Sequence, residues 1–315
     1  MIMIKPAADI SLPFQIEGGN LRGRIVRLGP ALDEILGKHD YPPPVARLLA
    51  EMAATGAALA AMLKYAGKFS LQARGDGPVR LVVADMTHDG GLRAYAQYDA
   101  NGVAQMGDEG IGLLGKGYLA FTVEPPADIK QESYQGIVEL RGKDIAAAAQ
   151  YYFRESEQIP TGIVTASSRD SDGHWHAGCL ILQHMPEVGG TSGLDLTLDV
   201  PTPVPSDTST ANDWQRAMML MSTCTPLELT DPDIAPETLL YRLFHEEGVR
   251  AFTPRALRHA CACAVRIADT LRLFSRDEVA SMAENGVVTM NCQFCGAQYR
   301  YTAAEIEQIF AVPSA

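Results

Sequence analysis

Four of the six cysteines in this 315-residue chain stand in two close pairs within its last fifth, Cys261-Ala262-Cys263 and Cys292-Gln293-Phe294-Cys295. Twenty-eight residues lie between Cys263 and Cys292. Each pair offers two sulfurs from one tight turn, and the intervening segment can bring the second pair round to the first. That is how a chain builds a four-cysteine, tetrahedral zinc site. Gly296, directly after the CQFC turn, can supply the positive φ that often follows such a knuckle. The CxC spacing of Cys261 and Cys263 is tighter than the usual CxxC, so these sulfurs can bind metal but can also oxidise to each other. The competing reading is four buried cysteines without metal. His259 is read as a neighbour of the site, because four thiols already complete a tetrahedral set.

The rest of the composition bounds what surrounds that site. Hydrophobic residues make up 47% of the chain and charged ones 20%, enough at this length for two domains or one domain with an appendage. The net charge of −12 argues against a general nucleic-acid binder, since phosphates are held by basic faces. No apolar run reaches the roughly 20 residues that a membrane span requires. The start, MIMIKPAADISLPF, has no basic stretch followed by an apolar one. The expectation is a cytoplasmic protein without membrane or nucleic-acid partners, in a compartment where close cysteine pairs mean metal or redox chemistry.

Along the chain, residues 14–28 predict a hairpin around Glu17-Gly18-Gly19-Asn20, Ala31 to Lys38 a short helix, and Val45 to about Tyr65 a long one after Pro42-Pro43-Pro44. Strands are expected at Phe69 to Ala73, Arg80 to Asp85, Gly91 to Tyr98 and Tyr118 to Val123. A helix follows at Asp144 to Glu155, then a hairpin of Ile163 to Ser168 with Trp175 to Gln183. Short turns between most neighbours imply an α+β domain with largely antiparallel sheet and packed helices. From Gly189 the chain turns rich in Gly, Pro, Ser, Thr and Asp, which reads as a linker. Asn212 and Gln215 form a candidate capping box, and Leu239, Leu240, Leu243 and Phe244 share one helix face. Further capping boxes are predicted at Ser275/Glu278 and Thr302/Glu305, and a hairpin of Val287 to Met290 with Ala297 to Tyr301 flanks the knuckle. The expected division is 1–189, an α+β core; 190–250, a linker with amphipathic helices; and 251–315, a small domain whose slight core needs a metal as staple.

Several patterns are set aside. Gly110 to Gly117 matches GxGxxG and nearly matches a phosphate-binding loop, but it runs into a strand rather than a helix. His174 and His176 share a strand face beside an acidic turn, which reads as a hairpin rather than a metal site. Cys179 and Cys224 read as small buried apolar residues, and Ser156-Glu157-Gln158 as a polar helix end. No catalytic constellation is apparent, so no enzyme is expected.

With the CxC and CxxC pairs, the stretches YYFRESEQIPT (151–161), YQGIVEL (134–140), LKYAGKFSLQARGDGPVRLVVAD (63–85) and AGCLILQHMP (177–186) resemble the heat shock protein 33 family. These are redox-regulated, ATP-independent holdase chaperones of the bacterial cytosol. The resemblance covers nearly the whole chain; the usual CxCS-type continuation is here Cys263-Ala264-Val265-Arg266, a minor departure that leaves the ligands intact. It implies that Cys261, Cys263, Cys292 and Cys295 hold one zinc ion in the reduced, inactive state. It implies that oxidation forms Cys261–Cys263 and Cys292–Cys295 disulfides, releases zinc and unfolds switch and linker. The implied partners are unfolded client proteins, and the implied active form is a homodimer. Three other readings stand beside it: a zinc ribbon on nucleic acid, a thiol oxidoreductase using Cys292/Cys295, and a constitutive zinc-ribbon binding protein with no redox switch.

Overall fold

The structure, a computed structural model, describes residues 9–17, 20–63, 65–126, 132–184 and 210–311. Most of the polar stretch expected as a linker, and the Gly18-Gly19 turn, lie outside them. The chain opens with β1 (Ile10–Ile16) and β2 (Leu21–Leu28), antiparallel as expected. Next come α1 (Pro30–Leu36) and α2 (Pro43–Met62), each with proline in its first turn, where a missing N–H costs nothing. β3 (Lys68–Gly75), β4 (Val79–Thr87) and β5 (Gly91–Tyr98) form a meander. α3 (Ala100–Met106), capped by Asp99, and a 3-10 turn at Gly110–Leu114 lead into β6 (Gly117–Glu124) and β7 (Tyr134–Glu139). α4 (Ile145–Tyr152) then precedes the hairpin of β8 (Thr161–Arg169) and β9 (Trp175–His184).

The described chain resumes with α5 (Thr210–Ser222), α6 (Pro226–Thr230) and α7 (Pro236–Phe244). α5 is already under way at Asn212, so the proposed capping box does not start it; the box that forms here is Thr225/Glu228, at the head of α6. Three very short strands follow: β10 (Val249–Ala251), β11 (Arg255–Ala256) and β12 (Arg258–His259). The chain ends with α8 (Cys263–Arg272), α9 (Arg276–Ser281), β13 (Val287–Asn291), β14 (Gln298–Thr302) and α10 (Ala303–Ala311). Both capping boxes expected here form, at Ser275/Glu278 and Thr302/Glu305.

Two six-stranded sheets face each other across α2. The first runs β10-β1-β2-β9-β8, with β11 also on β1; the second runs β12-β5-β4-β3-β6-β7. All pairings are antiparallel except β12 on β5, which matches the α+β expectation. α2 is long and apolar enough by length and composition to cross a membrane, although Arg47 and Glu51 interrupt its apolar run, and 83% of that window is buried inside the protein. Apolar side chains from both sheets close on it, among them Val26 and Ile181 from the first and Leu71, Ala84 and Phe121 from the second.

The first sheet is apolar on its other face as well. Along β9, Cys179 and Ile181 point to the α2 side while Leu180 and Leu182 point away, as strand alternation requires. Leu12, Phe14, Ile25, Leu180 and Leu182 pack against Met221, Leu229, Leu239, Leu240, Leu243 and Phe244 of α5–α7. The four residues predicted to share a face of α7 are all buried there. Phe14 stacks on Phe244 with ring centroids 5.9 Å apart. Gly23, directly opposite Phe14 across the strands, makes room for the ring: a Cβ there would lie 2.3 Å from Phe14 Cζ. Buried Arg27 of β2 donates to the carbonyls of Glu228 (2.8 Å) and Asp231 (2.6 Å) at the end of α6, where the helix itself leaves carbonyls short of donors.

Candidate metal centre

The β13–β14 hairpin builds one half of the site. Cys292 follows β13 directly, and its N–H donates to Ala297 O (2.9 Å) while Gly296 N–H donates to Cys292 O (2.9 Å), closing the knuckle. Gly296 takes φ +67, as the sequence predicts. The other half comes from the end of the β10–β12 segment: Cys261 lies just after β12, and Cys263 is the first residue of α8. The two halves meet. All four Sγ atoms lie within 4.8 Å of one another, with Cys261–Cys292 at 3.7 Å and Cys263–Cys295 at 3.4 Å. A tetrahedron with zinc–sulfur bonds of about 2.3 Å has sulfur–sulfur edges of about 3.8 Å, so the quartet needs shifts of about an ångström at most to take such an ion.

Cys263 and Cys292 are buried, and Cys261 and Cys295 half-buried. They sit on a small core that includes Ile267, Leu271, Val279, Val288 and Ile306. Burial pushes the Cys261 thiol up to about 12 and raises Cys295 as well. Burial also opposes ionisation of Cys263, but hydrogen bonds from Tyr299 (Oη at 3.0 Å), Cys295 and the other thiols outweigh it and bring Cys263 down to about 7. One sulfur can therefore carry charge at the expense of its neighbours. Four thiolates this close repel one another unless a cation sits among them. The four cysteines are positioned to bind a metal ion.

Among the described residues no other set of three or more His, Cys, Asp and Glu side chains gathers in this way. His259 Nδ1 pairs with Glu34 (3.2 Å), and the ring is not part of the group of gathered ligand atoms. His174 and His176 are engaged by different carboxylates, Asp33 (2.7 Å) and Asp170 (3.0 Å). Cys179 and Cys224 are buried and separate, their thiols pushed up to about 12 and about 11 by desolvation. The Gly110 segment is a 3-10 turn feeding β6, with no helix to receive a phosphate. Glu157, expected as part of a polar helix end, accepts hydrogen bonds from Tyr134 (2.7 Å) and Tyr152 (2.6 Å).

Two residues at the site have no signal in the sequence. Tyr299 lies on β14, where its hydroxyl reaches Cys263. Arg93, on β5, reaches Cys261 from 168 positions away along the chain.

Comparison with known proteins agrees with this picture. A family model described as Hsp33 protein matches residues 9–302. The 33 kDa chaperonin of Caulobacter vibrioides is 37% identical over 302 residues, spanning 93% of this chain and 94% of its own. That of Pseudomonas aeruginosa is 36% identical over 309 residues, spanning 96% and 95%. The crystal structure of the 33 kDa chaperonin from Thermotoga maritima shares the fold, with a TM-score of 0.74 over 96% of this chain and 98% of that one at 20% identity. A match along almost the whole chain, together with the four-cysteine cluster, makes this protein a member of the Hsp33 chaperone family.

Proposed function

We propose that the protein is a redox-regulated, ATP-independent holdase of the cytoplasm, silent when reduced. In that state Cys261, Cys263, Cys292 and Cys295 hold one zinc ion, whose charge keeps four thiolates together. Two two-electron oxidations, each by one peroxide, join Cys261 to Cys263 and Cys292 to Cys295. In each, two thiolates lose two electrons as the disulfide forms, and the peroxide takes them up with two protons from solvent to become two waters (or water and an alcohol). The resemblance to the family supports this pairing; in the reduced cluster all four sulfurs are mutual neighbours. With no thiolate left, the ligand set is gone. Structural zinc contributes on the order of 10–16 kcal/mol in small fingers, as much as or more than the net stability of a typical domain, so residues 251–315 unfold without it.

The linker follows. α5, α6 and α7 have 13, 5 and 9 residues, too short to persist unless packed on something. Just after them, β10 and β11 hang on β1 and β12 on β5, so strain on the C-terminal module passes to both sheets. We read residues 1–189 as the client-binding and dimerising core, 190–250 as the linker and 251–315 as the switch. The observation that carries the reading is the apolar face of the first sheet, centred on Leu12, Phe14, Ile25, Leu180 and Leu182, beneath three helices with little stability of their own. Laid open, it offers unfolded clients, and a second copy in the active homodimer, the contiguous apolar surface they require.

The test is suppression of a client's thermal aggregation without ATP, before and after peroxide, with released zinc and sedimentation measured in parallel. Suppression only after oxidation, with about one zinc lost per chain and dimers formed, is expected. Equal behaviour of the two samples with zinc retained assigns the protein instead to constitutive binding through a structural zinc ribbon.

A further inference from the structure

Arg93 makes contacts that sulfur chemistry alone does not require. Its guanidinium is buried, at 8% exposure, and donates from Nε (2.9 Å) and Nη2 (2.5 Å) to Asp85 Oδ2, directly opposite on β4. Lys68 Nζ approaches the same carboxylate at 3.9 Å. The face of the guanidinium lies under the ring of Phe294, 3.8 Å from its centroid. Nη1 points to Cys261 Sγ at 3.9 Å. Tyr95, two residues on along β5, flanks the Phe294 ring at 6.1 Å. One core side chain thus touches Cys261 of the first cysteine pair and Phe294, which stands between the cysteines of the second. The backbone enters the cluster along the same strand, with Arg258 N–H donating to Gly90 O (3.0 Å) and Ala260 N–H to Leu92 O (2.9 Å).

We propose that Arg93 is the latch that docks the assembled cysteine knuckle on the core: a positioning residue that couples the state of the cluster to β12 and, through it, to the rest of the molecule. The inference rests on the redox-switch reading for its biological use, though not for its physics. A guanidinium can fork to a carboxylate in its plane while an aromatic ring covers its face; a lysine ammonium cannot do both. Phe294 reaches Arg93 only when both cysteine pairs are gathered. When they part, Arg93 keeps Asp85 but loses the ring and the sulfur, and water reaches the ion pair. Docking is thereby favourable only for the assembled module. A thiolate is also a stronger acceptor from Nη1 than a disulfide sulfur, so oxidation weakens the latch at the same stroke.

The experiment uses the reduced, metal-loaded full chain as wild type, Arg93→Lys, Phe294→Leu and the double variant. Metal content, hydrogen exchange of the Arg258 and Ala260 amides, and the rate of metal release in peroxide are measured. Each single variant is expected to retain the metal and to exchange these amides on the order of tenfold faster. The double variant should exchange hardly faster than Arg93→Lys alone, because Phe294→Leu breaks a contact that Arg93→Lys has already broken. Metal release in peroxide should quicken in parallel. Exchange equal to wild type, or effects that multiply in the double variant, overturns the latch. Phe294→Leu leaves the Arg93–Asp85 pair whole and decides the question even if Arg93→Lys loosens the sheet. Because exchange is read without oxidant, a wild type that ignores peroxide would refute the switch while leaving this result to stand or fall by itself.

Discussion

Replacing Phe244 with alanine should activate the chaperone without oxidation. The side chain is fully buried, ends α7 and stacks on Phe14 in the core between the first sheet and α5–α7. Truncating a buried phenylalanine costs about 3–5 kcal/mol, transfer and cavity together. The three linker helices have no independent stability to absorb the loss, so it falls on their docking equilibrium. An undocked fraction should rise roughly a hundredfold to several thousandfold. Tyr241→Ala is the control: it lies on the same helix but is 64% exposed, and should shift docking by no more than about 0.5 kcal/mol. The assay is client aggregation in reduced, metal-loaded protein, with hydrogen exchange of α7 read alongside. Protection lost in Phe244→Ala and kept in Tyr241→Ala, with client binding following protection, is the expected result. A Phe244→Ala protein that stays silent and protected would refute the idea that packing on Phe14 and its neighbours holds the linker down.

Cys292→Ser should lower metal affinity and uncouple client binding from peroxide; unchanged metal content and redox response would rule out the four-sulfur site. Arg27→Met removes the donors to Glu228 O and Asp231 O; Asp231 O keeps the Ile234 N–H, but Glu228 O loses its side-chain partner, which costs about 1–3 kcal/mol, so exchange of α6 should quicken while that of β4 does not. Cys224 and Cys179 serve as paired reporters: burial holds both thiols high, at about 11 and about 12, so neither should react with a maleimide in the reduced protein at pH 7. After oxidation Cys224, between α5 and α6, should become reactive while Cys179, in the core sheet, stays protected; equal labelling of the two would contradict selective linker release. Asp89 is held below its ordinary 3.8 by hydrogen bonds from Thr87 and Arg258. A depressed carboxylate contributes stability that is complete above its unfolded value and is lost as pH falls through the folded one. Protection of the Ala260 amide should therefore hold down to about pH 4 and decline below it, and Asp89→Asn should flatten that dependence.

Much of the architecture was legible because it rests on local chemistry. The DIAAAAQYY tract makes a helix by propensity, with Asp144 accepting at its cap. The Ser275/Glu278 and Thr302/Glu305 pairs start a turn wherever the following residues tolerate one. The CQFCG run closes through its own backbone and a glycine at positive φ, and needs no distant partner to take that shape. Even the buried face of α7 follows from a four-residue spacing.

What the sequence by itself determined, then, was each element whose cause lies within a few residues, together with the chemistry of four thiols in two pairs. Only the tertiary structure decided what those elements lean on. β10, β11 and β12 have two or three residues each and no alternation to announce them; they are strands because β1 and β5 offer free edges. β7 and α3 were likewise silent, the first an edge strand of uneven polarity, the second a seven-residue turn of helix opened by Asp99. α2 has the composition of a membrane span and is a core helix only because two sheets close on it. Arg93 stands in a strand whose sequence says nothing of cysteine. It meets Cys261 and Phe294 because strand pairing brings residues 258–260 alongside β5, and a contact across 168 positions is written in no local pattern.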